Sequence, residues 1–336
     1  MIMRREFGKA FGHNVGLYII ENDAVKIAVT DLGATLVSFT DKKSDRDIVL
    51  GFEDAQGYLE QSSYIGASIG RTANRIEKGV FSLNGEVYTL PINNNGNCNH
   101  GGIRGFDKVI WDAWEGEDRV VFRYCSPDGE QGYPGKLDVT VTYKLLADGI
   151  EIEAKGTPDR DTLFAYTNHS YFDLSACGKA MEQEVMILAD RYAHSDANGL
   201  ALDEFEEVDG TPFDFRKFHR PSERVDEDHE QLVFGHGYDH FYPIPGHGMR
   251  KFAACVYDGL EMTVYSDQPG MHFYSANWLE NKIGKGGHRY PERSALCFEC
   301  AYMPNAVNYP DVAEKPIVRK GHTSVQRIKY VLHHLG

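Results

Sequence analysis

The chain has 336 residues, with 50 acidic against 35 basic side chains and a formal net charge of −15. A surface of that sign repels phosphate backbones and anionic lipid, so no nucleic-acid partner and no membrane partner is expected. Six cysteines at irregular spacing do not make a disulfide framework, the opening M-I-M-R-R-E-F-G-K lacks an apolar leader, and no stretch is apolar for long enough to cross a bilayer; together these predict a soluble, cytoplasmic protein with reduced thiols.

Nearly every segment alternates with period two and ends in Gly, Asn, Asp or Pro, beginning with A-V-K-I-A-V-T-D-L-G (24–33). In I-G-A-S-I-G-R-T-A-N-R-I (65–76), Arg71, Asn74 and Arg75 follow glycines that let the backbone approach something closely; they can fork hydrogen bonds to hydroxyls or carboxylates, although surface salt bridges explain either arginine more simply. The clearest hairpin joins Val80–Leu83 to Glu86–Leu90 through Asn84-Gly85, the strongest two-residue turn signal. The following stretch, 93–108, is too rich in Asn and Gly to be core and reads as a loop holding His100 at the surface or over a cleft.

Further strands are predicted at Arg119–Tyr124 with Leu137–Leu145, at Ile150–Lys155, and at Cys255–Asp258 with Glu261–Tyr265. The run L-F-A-Y-T-N-H-S-Y-F-D-L (163–174) reads as one strand with Ala165, Thr167, His169, Tyr171 and Asp173 on one face. A core imidazole satisfied by a backbone carbonyl is the plainer explanation for His169. A short helix is expected over Arg220–Val233, and G-H-G-Y-D-H-F-Y (235–242) places Asp239 between aromatics as an acceptor for vicinal hydroxyls. Strands without intervening helices predict an all-β fold, a large antiparallel β-sandwich with very little helix, in one domain over residues 1–336.

The most informative residue is Glu299, inside the apolar run A-L-C-F-E-C-A-Y (295–302). Alternation puts it on a face with Ala295, Cys297 and Ala301, a floor of small residues that leaves room for a ligand. Burial would lift its pKa toward the range where it exchanges protons near neutral pH; a buried salt bridge is the competing explanation. No metal site is expected: Cys297 and Cys300 point to opposite faces, and the Gly-rich segment carrying His236 and His240 does not read as helix. There is no H-E-x-x-H, phosphate-cradling loop or G-x-S-x-G. What remains is a carboxylate, two histidines, an acidic hydroxyl acceptor and polar donors, which suits proton shuttling on a neutral polyol. Ring faces from 19 tyrosines also suit stacking on sugars, though core packing explains most of them.

In order along the chain stand D-L-G-A-T-L (31–36), G-R-T-A-N-R-I (70–76), N-H-G-G followed by G-F-D-K, Q-G-Y-P-G (131–135), T-N-H-S-Y-F-D-L, Y-D-H-F, and F-E followed by P-N-A-V-N (304–308). This set resembles the aldose 1-epimerase (galactose mutarotase) family over essentially the whole length. The resemblance implies a large antiparallel sandwich and interconversion of the α and β anomers of a free hexose such as galactose or glucose. Glu299 matches the general base at the anomeric hydroxyl, His169 the acid at the ring oxygen, and His100 a second histidine near that oxygen. Asn74, Arg75, Tyr171 and Asp239 match sugar-binding positions, and His272 stands where many members carry Gln in P-G-x-Q-F-Y. The stretch Cys300-Ala301-Tyr302-Met303 is apolar where the family is usually polar, and Asn305 follows Pro304 where Asp is usual. The chemistry implied needs no cofactor and no metal, only a small-molecule sugar, in a monomer or homodimer. It places acid and base across the pyranose from each other, with His169 starting protonated and Glu299 ionised. The competing readings are a catalytically silent carbohydrate-binding or sensing protein and a hexose-6-phosphate epimerase.

Overall fold

The computed structural model describes residues 2–336. Five consecutive strands, Met3–Ala10, His13–Glu21, Val25–Thr30, Thr35–Asp41 and Arg46–Asp47, form one antiparallel sheet in sequence order. An eight-stranded antiparallel sheet runs Asp112–Glu115, Arg119–Ser126, Leu137–Leu145, Gly149–Pro158, Ser324–His334, Leu260–Ser266, Arg250–Tyr257 and Glu184–Ile187. The C-terminal strand therefore lies inside this sheet, tying strands from the middle of the chain to later ones. A four-stranded sheet of Tyr171–Phe172, Leu296–Ala301, Gly270–Tyr274 and Asp239–Pro243 carries the residues of greatest interest.

The period-two pattern is what assembles these layers. Along Leu137–Leu145 and Gly149–Pro158, inward residues alternate with outward ones, and the register pairs Val141 with Ala154 and Tyr143 with Ile152. Ile152 in turn opposes Ile328. One contiguous core collects Ile27 and Phe39 from the five-stranded sheet, Val141, Ile152 and Ile328 from the eight-stranded sheet, and Phe273 and Phe298 from the four-stranded sheet. Each such side chain contributes about 1.5–3 kcal/mol by leaving water. Phe298 is fully buried, with ring centroids 5.5 Å from Phe273 and 6.2 Å from Phe172. Phe298→Ala is expected to cost about 3–5 kcal/mol in urea melts, the range for a large core cavity.

The hairpin at Asn84-Gly85 forms with both turn residues at positive φ, 54° and 82°, as a type I′ turn needs. Two expectations are corrected. Residues 163–174 keep the predicted faces but not one strand: Thr162–Leu163, Thr167–Asn168 and Tyr171–Phe172 pair with three different partners, because the chain crosses between sheets here. The helix expected over 220–233 splits into a 3₁₀ turn, Pro221–Glu223, and an α-helix, Glu230–Gly235. The intervening Asp226-Glu227-Asp228 is a run of like charges containing two poor helix formers, and His229 then caps the second piece by accepting from the Gln231 N–H. A further helix, Ala55–Glu60, was not foreseen; Asp54 caps it, and Gly57 in its interior obscured the signal.

Candidate active site

Strand register brings the site together. In the four-stranded sheet Tyr171 opposes Cys297, Cys297 opposes Tyr274, and Tyr274 opposes Asp239, making one row of side chains on one face. Two residues along, Glu299 opposes His272, and continuing the Tyr171 register by two residues sets His169 beside Glu299. Period-two alternation on the same strand sends Leu296, Phe298 and Cys300 into the main core behind. The floor around Glu299 is made of small residues as expected, with Cys297 and Ala295 in one cluster and Ala301 in another with Ala67 and Ala73.

Above this face lies a cavity of about 600 Å³ lined by Glu299, His169, His100, Asn74, Arg75, Tyr171 and Asp239, together with Tyr64, Asp107, Tyr274 and Trp278. Glu299 is 3 % exposed and His169 4 %. His169 Nε2 stands 3.5 Å from Glu299 Oε1. The His169 backbone is pinned on both sides, its N–H donating to the Ala67 carbonyl and its carbonyl accepting from Gly66 N–H, each at 2.9 Å. The two residues expected as acid and base are thus side by side rather than across a ring. That suits the chemistry better than the expected placement, since the anomeric and ring oxygens of a pyranose are bonded to the same carbon.

His100 is held by reciprocal bonds to Asn74. Its N–H donates to the Asn74 carbonyl at 3.1 Å, and its Nδ1 accepts from the Asn74 N–H at 3.2 Å. With Nδ1 engaged as an acceptor, neutral His100 carries its proton on Nε2 and is a fixed donor. His100, His169 and Glu299 each offer one ligand atom within 4.8 Å of the others, the only such group of three among the described residues. Ligation through Nε2 would move the His100 proton to Nδ1, against the Asn74 N–H, so this donor set suits an oxygen acceptor better than a metal ion.

Asp239 Oδ1 is 2.6 Å from His272 Nε2. His272, expected to touch the sugar, does not line the cavity; it stands one layer behind and holds Asp239. Tyr171 does reach the cavity, but its hydroxyl donates to the Ser63 carbonyl at 2.8 Å and its ring lies against His169. Arg75 donates from Nε to Asn94 Oδ1 at 2.9 Å and from Nη1 to the Gly199 carbonyl at 2.8 Å. Arg71 is corrected outright. It is 2 % exposed, away from the cavity, and spends its guanidinium on Ser126 Oγ and on the Ser126, Pro127 and Pro134 carbonyls. Neither arginine makes a surface salt bridge among the described residues.

A family model described as aldose 1-epimerase matches residues 16–331. The Homo sapiens galactose mutarotase is 37% identical over 337 residues, covering 96% of this chain and 97% of that protein. The Escherichia coli K12 aldose 1-epimerase is 36% identical over 306 residues, 88% of each chain. This chain belongs to the aldose 1-epimerase family. Its fold agrees: a C. elegans GalM/aldose epimerase homologue superposes with a TM-score of 0.89 at 27% identity over 96% of this chain and all of that one. The galactose 1-epimerase of Lactobacillus acidophilus gives the same score at 24% identity, covering 100% and 99%.

In this aldose 1-epimerase family member burial works against the expected charges of the central pair. Burial dominates both partners of the central pair. It pushes His169 down to about 3, against the pull of its own carbonyl and of Asp239. It lifts Glu299 well above the carboxylate range, helped by Asp239 and opposed by Arg75. Burial thus favours the neutral imidazole and the neutral carboxyl over the expected imidazolium and carboxylate. His100 is also held neutral, by burial first and then by His169, Arg75 and His272. Asp239 is held below the usual range: burial works to raise it, and the His272 hydrogen bond and charge, with Arg75, overcome that.

Several lining residues carried no legible signal. Tyr64 sits at φ 56° in a tight turn before Gly66, and nothing local marks its ring as belonging over His100. Asp107, raised to about 6 by burial, appeared only inside the fragment G-F-D-K. Trp278 is 55% exposed at the cavity wall, with its N–H donating to Tyr274 Oη at 2.9 Å.

Proposed function

We propose that this chain interconverts the α and β anomers of a free hexose of the galactose or glucose type by acid/base ring opening and reclosure, with Glu299 and His169 as the proton-transfer pair. The observation that carries the assignment is their 3.5 Å approach at the floor of a buried cavity. Neutral and charged forms of the pair hold the same number of protons, so one transfer across that gap converts the first into the second. A bound pyranose favours the charged form, because its anomeric O–H donates to a carboxylate and its ring oxygen accepts from an imidazolium.

The steps then balance. Glu299 takes the proton from the anomeric hydroxyl, His169 gives its proton to the ring oxygen, and the C1–O5 bond breaks to an aldehyde. Rotation about C1–C2 presents the other carbonyl face. On reclosure the O5 hydroxyl attacks C1 and returns its proton to His169, while the former carbonyl oxygen takes one from Glu299. Anionic Asp239 accepts from sugar hydroxyls, with Arg75 and Asn74 as donors around the ring. His100, through Nε2–H, supports the ring oxygen as its basicity rises. His272 acts here through Asp239, which revises its role from contact to support.

The names of the relatives support galactose as a substrate class, and the single family match over 16–331 supports one domain over residues 1–336. The net charge of −15 supports a protein that works without nucleic-acid or membrane partners. Six free cysteines support a reducing, cytoplasmic setting, and among the described residues no helix is long and apolar enough to cross a membrane. Polarimetry on freshly dissolved α-galactose and α-glucose tests the activity: relaxation should be strongly accelerated over buffer for at least one of them. Relaxation at the buffer rate across a panel of common aldoses would overturn the reading.

A further inference from the structure

Two tyrosine rings lie near-parallel to the His169 imidazole. The Tyr171 ring is nearly parallel to the imidazole, at 13° and 5.1 Å between centroids, and the Tyr64 ring is also near-parallel, at 19° and 6.1 Å. Tyr171 follows His169 by two residues on the same sheet face, so one contact is a consequence of strand alternation. Tyr64 comes from a loop more than a hundred residues earlier and is held by its own bonds: Ala67 N–H donates to its carbonyl at 3.0 Å, and Ile65 N–H to Gln61 Oε1 at 3.1 Å. The Tyr171 hydroxyl donates to the Ser63 carbonyl, so the residue beside Tyr64 is tied to the opposite ring. The two rings are thereby tied to each other through the Ser63 carbonyl.

We propose that Tyr64 and Tyr171 form a clamp of two positioning residues that fixes the plane of His169 and stabilises its imidazolium during the reaction through the negative faces of both rings. This rests on the reading of His169 as the acid. The physical need is clear from the surroundings. His169 Nδ1 is buried and bonds no other residue, so apart from the pull of its own backbone carbonyl an imidazolium N–H there has only the stacked rings to support it. The other groups facing it are Glu299, His100 and the edge of Tyr274, with Asp239 and His272 further off. Besides its own backbone carbonyl, Asp239 favours a positive ring, and Glu299 does so once it is ionised. Aromatic faces supply that support without competing for the proton, and cation–π attraction strengthens when water is excluded.

The clamp also gives Tyr171 a task other than binding sugar, and Tyr64 a task where none had been assigned. Removing a face should lower kcat about tenfold while leaving KM within about twofold, since the imidazolium is needed in the transition state and not in binding. Phenylalanine keeps the face and leucine does not. The test therefore compares Tyr64→Leu with Tyr64→Phe, and Tyr171→Leu with Tyr171→Phe, after thermal melts confirm folding. At position 64 it adds phenylalanines of increasing fluorination, which weaken the ring face at nearly constant shape. Support would be recovery of most of the lost kcat by Phe and a log kcat that falls steadily with fluorination. Equal losses for Leu and Phe, a flat fluorination series, or a loss in KM alone would overturn it. Imidazole ¹⁵N titrations of His169 read the clamp independently of turnover: Leu should lower the pH at which the ring protonates and Phe should not. If the wild type accelerated no aldose, the functional reading would fall while those spectra still decided whether the clamp exists.

Discussion

Glu299→Gln should lower mutarotation by about 10²–10⁴, the usual worth of one positioned proton transfer, while sugar binding persists. The amide fills the carboxyl's volume, so the floor of Cys297, Ala295 and Ala301 and the strand behind it are undisturbed. A carboxyl whose charged form burial disfavours is replaced by a neutral amide at little cost, and the variant should be at least as stable as the parent at neutral pH. The sign follows from burial: a group whose charged form is disfavoured by desolvation gains when the charge is removed. Saturable sugar binding with full turnover in Glu299→Gln would exclude Glu299 as the base. It would instead favour a silent binding protein.

His169→Asn should give a loss of similar size, about 10²–10⁴, and a distinctive change in pH dependence. In the parent the competent species is the pair with one proton. As pH falls through about 3, His169 gains a second proton and Glu299 has no site left to accept one. As pH rises through the lifted Glu299 value, the pair loses its only proton and no acid remains. The acid limb of kcat/KM thus belongs to His169 and the alkaline limb to Glu299, the reverse of what ordinary pKa values would assign. With His169 gone, residual activity depends on Glu299 acting alone as an ionised base. It should therefore rise with pH over the interval in which the parent falls. Residual activity flat from about pH 5 upward, where an unperturbed carboxylate is already ionised, would show that Glu299 is not lifted and that the expected ion pair was right. Because the two groups share one proton, the double variant should be scarcely worse than either single one.

The same residues show how far the chain could be read before it was folded. Glu299 and its small-residue floor, the shared face of His169 and Tyr171, the Asn84-Gly85 turn and the antiparallel architecture all follow from side-chain alternation, which the extended backbone imposes over a few residues at a time. The ordered fragments from D-L-G-A-T-L to P-N-A-V-N were enough to indicate the family, and with it the candidate site. Even the adjacency of His169 to Glu299 is latent in alternation once the register Tyr171 to Cys297 is known, but the register is a pairing across 126 residues that no local pattern specifies.

Everything that depended on who else is nearby was settled by the tertiary structure alone. Arg71 looked like a surface cation and is instead buried among carbonyls from residues 126 to 134. His272 looked like a sugar contact and is a support for Asp239, because the sheet turns its ring toward a neighbouring strand. The helix over 220–233 broke where the charges ran together. Burial acts on His169 and Glu299 toward their neutral forms, since desolvation is set by the whole shell of packed atoms. Tyr64 entered the site from a loop with no chemical mark on it. Local periodicity determined which way each side chain points; long-range packing determined what it meets and hence its charge, and in this protein the proposed chemistry depends on that charge.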